Sequence, residues 1–125
     1  MTDYSQMSDA DINLRIAKIM HPGKEFTLAY SFGLPQGPMV QWIQGYGEFL
    51  KLDYCNNPAD AWPVITENKI SIMFDSTDPK YEGEYHQWCD AISPCQNFGI
   101  QHQSNPLRAA MIVFLMMKDT ENANS

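Results

Sequence analysis

Apolar positions change period along this chain, and the changes mark out its elements. Ile12, Ile16, Ile19 and Met20 recur at helical spacing behind Ser8, with Asp11 three residues on as a first-turn acid. A hydroxyl on an orphan amide and an acid at the positive end of the dipole predict a helix over 9–20, ended by Pro22-Gly23. From Glu25 the period falls to two. Phe26, Leu28, Tyr30 and Phe32 share one face of an expected strand. Residues 33–38, with two prolines and two glycines, read as a loop, and 40–52 as one or two strands broken at Gly45 and Gly47. Asn57-Pro58 opens a second helix, with Asp60 supporting its start; Pro63 predicts a kink or a restart at Trp62-Pro63. Ile70, Ile72 and Phe74 point inward from a strand over 69–74, and 75–84 is a polar surface loop. A strand over 85–92 surrounds Trp88, and 93–104 reads as loop.

Asn105-Pro106 repeats the Asn-Pro opening before a helix over 107–117, and a polar tail begins at about 118. Arg108 is that helix's only polar side chain, so it shows no solvated face. Either other elements sandwich it or a second subunit covers it, and a homo-oligomer is expected. The pattern adds up to an α+β layered sandwich, three helices on a small mixed or antiparallel sheet, within one domain spanning 1–125.

The net charge is −7, and the eight basic residues are scattered between Arg15 and Lys118. Duplex nucleic acid, whose binding depends on neutralising phosphates, is not an expected partner. Cys55, Cys89 and Cys95 are odd in number and include no C-x-x-C pair. The longest apolar run, 109–117, is about half of what a membrane span needs. With a polar, acidic start, these features lead us to expect a protein of a reducing cytoplasm, away from membranes.

Three segments carry a resemblance: TDYSQMSDADINLRIA at 2–17, LDYCNNPADAWPVITENKIS at 52–71 and NPLRAAMIVFLMM at 105–117. They resemble the phage NinX family, and the last two are loosely similar to the phage ABA-sandwich domain. The resemblance implies an accessory gene of lambda-like temperate phages or their prophage remnants, with helices packed on a small sheet. It brings no catalytic residues.

His86, Cys89, Cys95 and His102 form H-x2-C-x5-C-x6-H. That spacing is too irregular for a structural zinc site, and no metal or cofactor is expected. Cys55, just before the Asn57 cap, is more simply a small core hydrophobe than a nucleophile. No catalytic residue is assigned. The two Asn-Pro starts are more informative, because free amides at a helix N-terminus suit an anion. Arg108 opposes the dipole of its own helix and wants a partner: an internal carboxylate such as Asp60, or a ligand anion. Trp42, Trp62 and Trp88 belong to the core unless one is exposed beside such a start. The ligand-binding candidates are therefore Arg108, Asn105, Asn57, Asp60, Trp62 and Trp88. The function expected is a non-catalytic binder of a host factor, in its most concrete form a nucleotide-like defence signal. A second reading is an acidic protein–protein inhibitor or nucleic-acid mimic acting through 75–90, and a third a small enzyme.

Overall fold

A computed structural model of the chain describes residues 3–44, 48–78 and 86–123. A 3-10 turn at Tyr4–Gln6 leads into α1 (Asp9–Met20). The Ser8 oxygen accepts from the Asp11 amide at 3.1 Å, as the capping pattern requires. The face that α1 buries holds Ile12, Ile16 and Ala17 together with a polar residue, Asn13. Ile19 lies at the edge of that stripe, partly exposed.

Three antiparallel strands follow: β1 (Thr27–Ser31), β2 (Leu34–Gln44) and β3 (Glu48–Leu52), with β2 in the middle. Phe32 and Gly33, both at positive φ (54° and 78°), form the two-residue β1–β2 turn, a geometry that matches the twist of the strands it joins. The expected loop over 33–38 is thus mostly strand. Gly37 and Pro38 sit in a bulge bounded by Pro35: a step of two in β1, Leu28 to Tyr30, faces a step of five in β2, Val40 to Pro35. Gly37, at φ 59°, supplies the left-handed residue there. Pro35 and Pro38 are tolerated because β3 pairs with β2 only from Val40 to Gln44, which leaves the proline stretch without a second neighbour. The bulge also breaks the expected alternation. Phe26 and Ala29 are buried, whereas Tyr30 and Phe32 are exposed. The break expected at Gly45 and Gly47 lies outside the described residues.

α2 (Pro58–Glu67) is a single helix that runs through Pro63 without restarting. Pro63 removes the bond to the Ala59 carbonyl and crowds that carbonyl with its ring, and burial of Ala61, Val64 and Ile65 offsets the loss. A second antiparallel meander follows: β4 (Ser71–Ser76), β5 (Gln87–Ile92) and β6 (Gly99–Gln103), with a 3-10 turn at Pro94–Gln96. The expected loop over 93–104 thus contains a strand, disguised because its residues are polar and largely exposed. Part of the expected 75–84 loop lies outside the described residues, and β4 runs on to Ser76.

Instead of one sheet there are two, each following a helix. The first packs on α1 and the second on α3 (Pro106–Ala123). α3 touches α1, α2 and all three strands of the second sheet, so Ala109 to Leu115 are buried within one chain. Sandwiching within one chain therefore accounts for the missing polar face over Ala109 to Leu115. The helix continues through the polar residues past Met117 to Ala123.

Candidate functional site

The three segments singled out in the sequence meet in one polar knot. Arg108 donates from Nη1 to Asp9 Oδ1 at 2.6 Å and from Nη2 to the carbonyls of Met7 at 2.7 Å and Ser5 at 3.1 Å. Its carboxylate partner is Asp9, not Asp60; Asp60 accepts from the Asp53 amide at 2.9 Å. Asp9 lies in the first turn of α1, where the dipole favours an acid, and neutralises the cation that the α3 start disfavours. Asn105 donates to the Cys55 carbonyl (2.8 Å) and to Asn56 Oδ1 (3.2 Å). Buried Asn13 joins α1 to both neighbours, donating to the Pro38 carbonyl and to Asp53 Oδ1, and accepting from the Cys55 amide. Tyr4 ties the amino-terminal turn to Asp119 through its hydroxyl.

Both Asn-Pro helix starts have their amides in use. Asn57 Oδ1 accepts from Ala59, and the Asn57 carbonyl takes the Asp60 and Ala61 amides. Asn105 Oδ1 accepts from Leu107 and Arg108, and its carbonyl from Ala109. Proline occupies the first position of each helix and has no amide to offer. Among the described residues, every buried side-chain nitrogen or oxygen has a partner.

Two ionisable groups in this region are held neutral. Burial, then the nearby Asp9 carboxylate, pushes the Cys55 thiol far up, against the lesser opposing pull of Arg108. Such a thiol is a poor nucleophile. Burial, assisted by Asp60, pushes Tyr54 from 10.0 to about 12. Both groups bind their protons more tightly folded than unfolded. Their contribution is therefore complete below the unfolded values and is lost as pH rises, for Tyr54 between 10.0 and about 12. The thermal midpoint is expected to fall steadily above pH 9, and Tyr54→Phe to fall less. A flat profile from pH 8 to 11 would contradict this.

The second sheet offers a different kind of surface. An open groove of 620 Å³ separates α2 from β4, because α2 packs on α3 rather than on the strand. Trp62, Ile65, Ile70, Ile72, Phe74 and Leu107 supply most of its apolar wall. Phe74 was expected to point inward, but the end of β4 overhangs α3 and leaves it 73 % exposed; Trp62 is 62 % exposed and Met73 51 %. Beyond Phe74 a second groove of 370 Å³ reaches Asp75 and Trp88. Trp88 stacks on His102, with ring centroids 4.9 Å apart at 25°. The third tryptophan, Trp42, is half-buried, with the Lys24 ammonium 4.0 Å above its ring.

A model of the family described as "Bacteriophage P22, NinX" matches residues 3–118. The chain belongs to this family. No curated protein and no solved structure matches it. As a NinX-family member it is a phage accessory protein, and the matched span takes in almost the whole knot and both grooves.

Within this NinX-family fold the candidates divide. Arg108, Asn105 and Asp60 are joined in the knot, and Asn57 caps α2 beside it. Trp62 and Trp88 lie on the two grooves. Sequence reasoning missed Asn13, a polar residue on the apolar face of α1, and the exposure of Phe74. His86, Cys89, Cys95 and His102 do not converge, and among the described residues no three His, Cys, Asp or Glu side chains form a metal-binding group. Among those residues, no helix is long and apolar enough to cross a membrane.

Proposed function

We propose that this phage accessory protein acts without catalysis, by binding a host protein through the β4 side of its second sheet. The observation that carries the reading is the exposure of Trp62 and Phe74 on the 620 Å³ groove, with Met73 exposed on the opposite face of the same strand. Large apolar side chains grouped at a surface mark interaction sites, and a tryptophan at the centre of a patch is a frequent energetic anchor. Acids surround them. Glu67 ends α2, Asp75 lies on β4, Asp90 faces Met73 across the strands, and Asp78 follows, with Lys69 a cation near them among the described residues. Together with the net charge of −7, this favours a partner presenting basic residues around an apolar centre.

Capture of a nucleotide-like anion by Arg108 is less favoured. Asp9 and two carbonyls already hold the guanidinium, and neither groove around Phe74 includes it in its lining.

The test is affinity capture from host lysate with wild type, Phe74→Asp and Phe32→Ser, the last removing an exposed aromatic at the β1–β2 turn. One host protein should be retained by wild type and Phe32→Ser, lost with Phe74→Asp, and weakened by salt. Equal capture by all three, or native mass spectra showing only a bound small molecule, would overturn the proposal.

A further inference from the structure

Resting on that reading, we infer that the partner binds as an extended segment that pairs with the free edge of β4. It carries apolar side chains into the α2–β4 groove and basic ones over the acidic outer face.

Among the described residues β4 is an edge strand, paired with β5 alone. The Thr77 amide bonds to the His86 carbonyl, which fixes the phase of the ladder. Given the unbroken register Ser71↔Ile92 through Ser76↔Gln87, the backbones of Ser71, Met73 and Asp75 turn toward β5. Those of Ile72 and Phe74 turn outward. Among the described residues, nothing bonds to these outward groups.

Natural sheets blunt such edges with prolines, lysines or bulges. The segment Ser71-Ile72-Met73-Phe74-Asp75-Ser76 has none of these, and its pairing with β5 is regular. The other edge of the same sheet differs: β6 is bulged against β5 and holds His102 at φ 56°. An open, regularly paired edge with Ile72, Met73 and Phe74 at its middle, on one side only, is the arrangement used to accept a peptide strand, in which main-chain bonds give affinity and alternate side-chain pockets give specificity.

The faces predict what the peptide carries. Ile72 and Phe74 present their side chains on the α3 side, the side of the groove with Trp62 and Leu107. In an antiparallel addition the residue that exchanges bonds with Ile72 or Phe74 shares that face, so it should be apolar. The residues between lie beside Met73 and Asp75, with Asp90 across the sheet, and should be cationic. The expected segment alternates apolar and basic residues.

An eight-residue peptide alternating valine and lysine is the probe, its binding to the full chain followed by calorimetry. It should bind at least tenfold more tightly than the valine–glutamate analogue. N-methylation of the valines, whose amides would face β4, should reduce binding at least tenfold. N-methylation of the lysines, whose amides would face solvent, should reduce it less than threefold. Failure of the valine–lysine peptide to bind, or equal binding of both methylated forms and the parent, overturns strand addition. If host-protein capture nevertheless remains sensitive to Phe74→Asp, the mode is wrong and the binding surface stands; if that capture fails too, the functional reading falls with it.

Discussion

Replacing Asn13 by leucine is expected to destabilise the fold by about 3–5 kcal/mol, although leucine is the better helix former and close in size. Asn13 is fully buried, and each polar atom of its side chain is used. Its Nδ2 donates to the Pro38 carbonyl at 2.9 Å and to Asp53 Oδ1 at 2.8 Å, and its Oδ1 accepts from the Cys55 amide at 3.0 Å. Leucine leaves the buried Cys55 amide and the part-buried Pro38 carbonyl without their partner, each costing about 1–3 kcal/mol. Asp53 keeps its bond from Asn56 Nδ2 at 3.1 Å, so it adds less. Set against a total of roughly 5–15 kcal/mol, the loss should lower the thermal midpoint by about 10–20 °C. Asn56→Ala, at an exposed position, should cost under about 1 kcal/mol. Circular dichroism melts of the three proteins decide the matter. An Asn13→Leu midpoint within a few degrees of wild type would mean that water satisfies the stranded groups and that the knot is looser than its geometry.

Much of this architecture is legible in the sequence because it depends on local chemistry. The Ser8 cap, the two Asn-Pro openings and the helical spacing of the isoleucines act within one or two turns, and all three helices form where these signals stand. What the sequence concealed depends on distant partners. Asn13 breaks an apolar stripe for the sake of groups 25, 40 and 42 residues away, which no periodicity reveals. The proline and glycine signals at 33–38 were real but ambiguous, since loops and bulges use the same residues. β6 escaped because a largely exposed edge strand does not need an apolar face. Arg108's need for an anion followed from its position alone; the choice of Asp9 over Asp60 did not. Each acid lies in the first turn of a helix, and only the packing of α1 against α3 decides between them. Phe74 continues the alternation of Ile70 and Ile72, so nothing local distinguishes a strand end that overhangs its helix from one that is covered.

Arg108→Ala is expected to cost about 2–4 kcal/mol, somewhat less than a fully buried pair, because the side chains of Arg108 and Asp9 are 17 % and 31 % exposed. The loss has two sources. Asp9 is left as a carboxylate beside the α1 start without its cation, and the carbonyls of Ser5 and Met7 lose their donor. Asp9→Asn should cost less, about 1–2 kcal/mol, since Arg108 keeps both carbonyl bonds. In the double variant the two losses should fall short of adding, by a coupling of about 1–2 kcal/mol that measures the ion pair itself. Phosphate or a panel of nucleotides should raise the midpoint of neither wild type nor Arg108→Ala, because the guanidinium and the amides of both Asn-Pro starts are already committed. The competing outcome is equally specific. A ligand-waiting arginine would leave Arg108→Ala as stable as wild type in plain buffer, yet deaf to a nucleotide that stabilises wild type. That pair of results would make Arg108 the anchor of an anion site and move the functional centre from β4 to the knot.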